Sequence, residues 1–495
     1  MNDNIRKLGY LFLALFTVLM LYMGYLNVVV GPTLATDPHN RRLAAAEEAI
    51  IRGAIYDRRG ALLAEDRVIG GAKVRVYPRG RETAHLLGFV SRQYGRTGLE
   101  SAFDSYLLAM DDAGKVRAVF DRILGRQRYG YNVGLTIDAG LQRLALNMLG
   151  SRSGAVVAID PKTGAVLAMV SSPAFDPGSI EEVVRTESVT KNGKTQEIKT
   201  TRYDILKTKT DSAPLLNRAA RGLYPPGSTF KVITGAGALE AAGQKTGRTV
   251  ECKGSITVDG FVLKDTGVHG KVGFNEAVAV SCNSYFGELG LELGEEGLKR
   301  AAGSFGFELL DYEGKTGGMG KYPVVSAEIP YNPGTLPADR MSPPEAASTA
   351  IGQGRTLVSP MQMALVAAGI ANGGVVMKPL VMEKVVDRSG GIHKKMSPVA
   401  LYTAVSPETA RDLSAAMEDG VRRGTASQAA ISGIRVAGKT GSAQNPHGQT
   451  HAWFIGFAPA DNPGIAVAVV VENAGGGGYV ATPVAREIIR EYLSK

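Results

Sequence analysis

Three short strings stand in order along the chain: Ser228-Thr229-Phe230-Lys231, Ser281-Cys282-Asn283 and Lys439-Thr440-Gly441-Ser442. A serine hydroxyl is a poor nucleophile until a base takes its proton. Pro225-Pro226-Gly227 precedes Ser228, so a helix is expected to begin at or just before the serine. Lys231 then falls one turn on, on the same face. A lysine serves as that base when burial or a neighbouring cation lowers its pKa, and Lys439 is the candidate cation. The start of a helix also favours negative charge developing near the Ser228 amide.

The remaining members suit an acyl transfer. Ser281 can relay a proton from Lys231 to a leaving amine, and Asn283 can hold a substrate amide. Lys439 and Thr440 can bind a terminal carboxylate, Gly441 lets a substrate backbone come close, and the amides of Ser228 and Ser442 can form an oxyanion hole.

Singly, the strings are weak. SxxK recurs at Ser188–Lys191, and KTG begins at Lys162, Lys245, Lys315 and Lys439. Lys162 lies in a hairpin turn, Lys245 follows a helix end, and Lys315 lies in a Gly-rich loop. Ser188 sits in a charged stretch, whereas Ser228 opens an apolar helix. Only Lys439 follows a strand-like run downstream of the other two elements. The ordered set, each string in a fitting local structure, is specific.

Several elements must position these residues. At 495 residues the chain is long enough for two or three domains. The run Leu8 to Val30 has 23 residues without a charge, enough to cross a bilayer of about 30 Å and longer than a secretory h-region of about 7–15 residues. It reads as an uncleaved anchor. Arg6 and Lys7 favour a cytoplasmic N-terminus, which Arg41 and Arg42 weaken. An Ala/Glu-rich helical stretch is expected around 43–51, then a hairpin in RGAIYDRRGALLAED turning at Asp57 to Gly60. Asp138 is placed to cap a helix carrying Leu141, Leu144, Ala145 and Met148 on one face. From about residue 153, GAVVAID and AVLAMVSSP read as strands around the turn at Pro161 to Gly164. Residues 180–210 read as an exposed, charged insertion with a turn at Asn192-Gly193. Helices fill much of 274–305 and 343–372. IRVAGKTGSA, HAWFIGFAP and GIAVAVVVEN return to strand before a helix in TPVAREIIREYLSK. Strands at both ends with helices between imply one mixed α/β domain.

The net charge of +9 suits an anionic phospholipid or cell-wall neighbourhood. No basic tract with interleaved aromatics points to nucleic acid. The two cysteines, Cys252 and Cys282, exclude a disulfide-built scaffold, while one disulfide and two buried thiols both stay open. No Cys/His ligand spacing and no HExxH helix occurs, so neither a metal nor a cofactor is expected.

SxxK, SxN and KTG in this order mark penicillin-binding proteins and serine β-lactamases. Through YPPGSTFKV, SCNSYF, GKTGSAQ, HAWFIGFAP, NRA (Asn217 to Ala219), IGQG (Ile351 to Gly354) and SPMQMA, the chain resembles a class B penicillin-binding protein. RGAIYDRRGALLA and GLESAFDSYL resemble that family's non-catalytic pedestal. The resemblance covers nearly the whole chain. It implies a multidomain α+β protein: a cytoplasmic tail at 1–7, a transmembrane helix at 8–30, a pedestal with its linker at 31–150, and a transpeptidase domain at 151–495. The last would be an antiparallel sheet flanked by helices, as in serine β-lactamases.

The resemblance further implies a D,D-transpeptidase on the outer side of the bacterial plasma membrane. Ser228 would attack D-Ala-D-Ala in peptidoglycan stem peptides, with β-lactams as inhibitors and with no cofactor. A polytopic glycosyltransferase of the shape, elongation, division and sporulation type would be its partner. No glycosyltransferase domain fits between 45 and 150. Ser442 stands where many relatives have threonine, which keeps the hydroxyl. Cys282 is read as packing and His269 as structural.

Two alternatives remain from the sequence. A serine β-lactamase or D,D-carboxypeptidase would give the acyl group to water, against which stand the pedestal-like region and the anchor. A β-lactam sensor or scaffold with a vestigial pocket would have lost catalytic side chains, and all are present.

Overall fold

The computed structural model describes residues 3–26, 50–191, 194–241, 247–310, 328–446 and 448–495. Asp3–Tyr25 forms helix α1. Arg6 and Lys7 lie inside its first turns, and residues 27–30 of the apolar run fall outside the described residues. Its 23 residues rise to about 35 Å, enough for a hydrocarbon core of about 30 Å. Leu11, Phe16 and Met20 are exposed, as on a helix whose neighbours are lipid. One apolar N-terminal helix fits a single-pass membrane anchor.

The expected Ala/Glu-rich helix lies outside the described residues up to 49. Its last two residues, Ile50–Ile51, are strand instead, paired in parallel with Arg128–Tyr129, in keeping with β-branched side chains. The expected hairpin is present: Ile55–Tyr56 pairs with Leu62–Ile69, and the Asp57 carboxylate accepts from the Arg59 and Ala61 amides at 2.8 and 2.7 Å. A six-stranded sheet builds on it, in the order Ile392–Lys395, Met382–Val386, Asn132–Leu135, Ile55–Tyr56, Leu62–Ile69 and Ala72–Val76. Two of its strands come from beyond residue 380, and no sequence pattern announces that pairing.

A buried charge network holds the face of this domain. Arg52 meets Glu100 at 2.7 Å and Asp104 at 2.5 Å, and Arg75 meets the other Glu100 oxygen at 2.7 Å. Burial alone would raise the Glu100 carboxyl, but Arg75 and Arg52 outweigh it and leave it lowered.

The second domain is organised on five antiparallel strands. They are β1 (Gly154–Ile159), β2 (Val166–Ser172), β3 (Ala437–Ala443), β4 (His451–Ala458) and β5 (Ile465–Val471), in the order β2-β1-β5-β4-β3. Successive side chains leave opposite faces of a strand. Val156 and Ala158 therefore join one apolar layer, with Leu141 and Ile488, while Ala155 and Val157 join the other, with Met361 and Leu365. Covered on both sides, β1 and β5 read as unbroken apolar runs.

Helix α2 (Ala139–Leu149) is capped by Asp138 as expected. Helices α3 (Lys231–Ala241), α4 (Asn283–Ser304), α5 (Pro343–Ala350), α6 (Pro360–Ala371) and α7 (Pro407–Arg423) follow. The last helix, α8 (Gly477–Leu493), begins upstream of Thr482 and runs through Pro483. There the Thr482 hydroxyl donates to the Gly477 carbonyl at 3.0 Å. Val183–Lys191 and Lys194–Thr201 form an exposed two-stranded ribbon within the 180–210 segment, while Asn192 and Gly193 lie outside the described residues.

Candidate active site

Ser228 sits in a 3-10 turn, Gly227–Phe230, that runs directly into α3. Three distant segments grip this turn. The Gly227 amide donates to the Gly352 carbonyl at 2.9 Å, and the Trp453 indole donates to the Pro225 carbonyl at 3.0 Å. A side chain at Gly352 would come within 2.1 Å of the Gly227 carbonyl, and Gly352 has φ +74°, so glycine is required there. The IGQG and HAWF strings thus serve to hold the serine. Gly441 acts in the same way. A Cβ there would lie 2.9 Å from the Pro226 carbonyl and 3.1 Å from Trp453 Cβ, so its first demand is close packing of β3 on the serine turn.

Lys231 is fully buried. Its Nζ donates to the Ser281 carbonyl at 2.6 Å and to Asn283 Oδ1 at 2.6 Å, and lies 3.3 Å from Ser281 Oγ. Lys439, also buried, reaches the same Ser281 Oγ at 2.8 Å and the Thr440 carbonyl at 3.1 Å. Ser281 holds a positive φ of 61°, a strained setting for a non-glycine residue, and its hydroxyl lies between the two lysine nitrogens. Asn283 is anchored in turn by its Nδ2 on the Lys264 carbonyl at 2.8 Å.

Burial lowers the Lys231 pKa to about 7, against an upward pull from Asp265 and Cys282. Of the two causes considered from the sequence, burial and a neighbouring cation, burial is the one that lowers Lys231. Burial first and repulsion from Lys231 second push Lys439 well below the ordinary lysine range. A lysine near 7 is poised to exchange a proton at neutral pH.

Ser228, Ser281, Asn283, Thr440, Gly441 and Ser442 all line one cleft of about 870 Å³. β3 is the edge strand of the sheet, so its outer backbone groups are available to an extended ligand. Thr440 Oγ1 pairs with Thr425 Oγ1 at 2.7 Å, and Ser442 Oγ accepts from the Gly477 amide at 3.2 Å. Thr425 and Gly477 had no motif to reveal them. The competing strings lie elsewhere: Lys162 is in the β1–β2 turn, with its Nζ on Asn462 Oδ1 at 2.5 Å, and Ser188 is on the exposed ribbon. Lys245 and Lys315 fall outside the described residues.

Cys282 is fully buried in the core. Its Sγ donates to Asp265 Oδ2 at 3.1 Å, in a cluster with Cys252 and the half-buried His269. Both thiols are unpaired. His269 is not among the residues lining the cleft.

Residues 154–490 match the model of a family described as the penicillin binding protein transpeptidase domain. The chain is a class B penicillin-binding protein. A second match, at residues 52–133, is to the penicillin binding protein A dimerisation domain. Among relatives, this penicillin-binding protein is 34% identical to the peptidoglycan D,D-transpeptidase PbpA of Mycolicibacterium smegmatis, over 100% of this chain and 99% of that protein. It is 31% identical to stage V sporulation protein D of Bacillus subtilis, over 92% of this chain and 68% of that one. Among solved structures, penicillin-binding protein A of M. tuberculosis as a ceftriaxone acyl-enzyme complex superposes with a TM-score of 0.78 at 31% identity, covering 90% of this chain and 98% of that one. Its imipenem acyl-enzyme complex gives 0.77 at 32% identity, covering 90% and 100%. The chain is therefore a peptidoglycan D,D-transpeptidase whose family binds β-lactams.

Proposed function

We propose that this penicillin-binding protein crosslinks peptidoglycan stem peptides through an acyl-enzyme on Ser228. The observation that carries the reading is the pair of buried lysines sharing Ser281 Oγ beside the Ser228 cleft. Neutral Lys231 takes the Ser228 proton as Oγ attacks the penultimate D-alanine carbonyl. The amides of Ser228 and Ser442 hold the resulting oxyanion. The proton then passes from Lys231 through the Ser281 hydroxyl to the departing D-alanine nitrogen, and the C–N bond breaks. An amine on a neighbouring stem attacks the ester, and the same groups run in reverse. Asn283 orients the substrate amide, while the Lys439 ammonium and Thr440 bind the terminal carboxylate. Gly441 brings the substrate backbone against β3.

The assay is incubation of the full-length protein with a synthetic stem peptide ending in D-Ala-D-Ala, with and without an acceptor amine. Released D-alanine should be accompanied by crosslinked product when the acceptor is present. Release with only hydrolysed peptide would replace transfer by a carboxypeptidase activity.

The chain divisions at 7, 30 and 150 and the outward orientation of the catalytic domain belong to the same reading. Arg6 and Lys7 support the orientation. Protease applied to intact protoplasts should remove the catalytic domain, and full protection would reverse the topology. A polytopic glycosyltransferase is the partner that membership of this family leads us to expect. Its absence from material crosslinked in cells would remove that partner.

A further inference from the structure

Two elements of the pedestal turn large apolar side chains to the outside. The helix Asp112–Ile123 carries Val116, Phe120 and Ile123, with Leu124 directly after it, and each of the four is 57–74% exposed. At 3.6 residues per turn they share one stripe about 100° wide. The hairpin of Leu62–Ile69 and Ala72–Val76 presents Val68 and Ile69 at its tip, with Val74 also exposed. It closes on Gly70 and Gly71, both at positive φ, as a tight two-residue turn requires. Exposed apolar residues are ordinary one at a time, whereas a grouped set marks a contact surface.

Both elements adjoin the point where the chain arrives from its anchor. Lys73, opposite Val68 in the hairpin register, donates to the Ile50 carbonyl at 2.7 Å. Ile50 in turn pairs with Arg128, four residues beyond Leu124. Residues 26–49 join this corner to α1. A segment of that length reaches at most about 80 Å, so it keeps the corner at high effective concentration beside the bilayer. Charge points the same way. By helix geometry Lys115 and Arg122 edge the apolar stripe on one side and Arg117 on the other. Residues 115–128 hold five basic side chains, with Arg126 and Arg128, against one acid, Asp121, which pairs with Arg117 at 3.9 Å. Asp111 and Asp112 lie at the other end of the helix, where Asp112 pairs with Lys115 at 3.2 Å. An apolar stripe with cationic edges suits a bilayer interface, where long basic side chains reach the phosphates.

We propose that the Asp112–Ile123 helix and the 68–74 hairpin tip dock the pedestal on the surface of the anionic lipid bilayer that holds α1. Phe120, Ile123, Leu124, Val68 and Ile69 enter the interface, and Arg122 and Arg126 meet lipid phosphate. Docking holds the catalytic domain in one posture over the membrane, where the linker alone would let it wander. The rival occupant is a second copy of the chain, because the family model matched at 52–133 is described as a dimerisation domain. A two-fold contact through this patch would press it against itself, basic edge on basic edge, whereas anionic lipid complements it. The proposal rests on α1 as an anchor and is independent of the acyl-enzyme reading.

The test uses the full-length protein, one chain per lipid nanodisc, with Ile123→Cys carrying an environment-sensitive dye. Cys252 and Cys282 are buried and stay unlabelled. In phosphatidylglycerol discs the dye should shift to the blue and be quenched severalfold by a quencher on the lipid acyl chains, and less so in phosphatidylcholine. Adding Phe120→Glu and Leu124→Glu should return the dye to water while penicillin labels the protein at its usual rate. The unaltered chain gives a second reading, which decides if a variant fails to fold. Trypsin cleavage after Arg122 and Arg126 should slow severalfold in anionic discs relative to detergent, while cleavage after Lys199, on the exposed ribbon, keeps its rate. An unquenched dye in anionic discs, or trypsin rates equal in discs and detergent, would overturn the docking and turn attention to a second copy or a partner protein. Equal quenching in the two lipids would overturn the preference for anionic lipid.

Discussion

Two clusters of buried charge, among the described residues, are treated in opposite ways. In the pedestal, Arg52 and Arg75 close on Glu100, with Asp66 and Asp104 around them. In the catalytic domain, Lys231 and Lys439 are buried together, and their nearest partners are a serine hydroxyl, an asparagine oxygen and backbone carbonyls. Opposite charges in low dielectric fix both partners in the ionised state, which suits a framework. Burial without a counter-charge partner, joined at Lys439 by repulsion from Lys231, lowers both lysines, which suits a base. Pairing marks the charges that hold the fold, and its lack marks those that react.

The strongest way to break this contrast is Ser228→Ala, which should abolish acylation and leave the thermal transition unchanged, because it removes one oxygen from the half-buried residue of an otherwise buried turn. A lost fold would make Ser228 structural. Lys231→Ala and Lys439→Ala should each slow acylation by about 10²–10⁴-fold without loss of stability, read by labelling rate and denaturant midpoint. Glu100→Gln should do the reverse. It leaves two buried arginines short of a partner and should cost about 3–5 kcal/mol in urea unfolding, while folded molecules label at the normal rate.

The two regions should also part company with pH. The folded Lys231 pKa is lowered from 10.5 to about 7. The rate of acylation should therefore rise through about pH 7 as the base becomes free. From there to about 10.5 the unfolded lysine still binds a proton that the folded one has lost, so this group's contribution to stability rises with pH. Glu100 is lowered in the folded state. Its stabilisation is present above the unfolded carboxylate value and lost as pH falls through the folded one. A pH series of denaturation and labelling on one preparation reads both slopes. At the small end, Lys162→Ala should change stability by less than about 0.5 kcal/mol and leave labelling alone, as should Lys245→Ala and Lys315→Ala.

What could be read before the structure was local. The Ser228 turn, the Asp138 cap, the 57–60 turn and the three C-terminal strands follow from Pro, Gly, Asp and alternating apolar residues within a few positions of each other. The three strings could be ranked because each lies in a local structure that exposes or buries it. What could not be read was non-local. The strands Met382–Val386 and Ile392–Lys395 pair with a sheet begun more than 300 residues earlier, and strand pattern carries no partner. The clustering of Cys252, Asp265, His269 and Cys282 follows from no spacing along the chain, because β-pairing and a helix start bring them together. The low pKa of Lys231 was foreseeable in direction, but its cause is burial, which a sequence does not display. The expected closing helix, TPVAREIIREYLSK, starts at Thr482, whereas α8 begins five residues earlier at Gly477 and carries Pro483 inside it.

The most direct measurement is labelling of the full-length protein in detergent with a fluorescent penicillin, followed by mass mapping of the adduct. A stable adduct on the peptide containing Ser228, lost in Lys231→Ala on the same timescale, is the predicted result. An adduct on another serine, or none from protein that is demonstrably folded, would contradict the account.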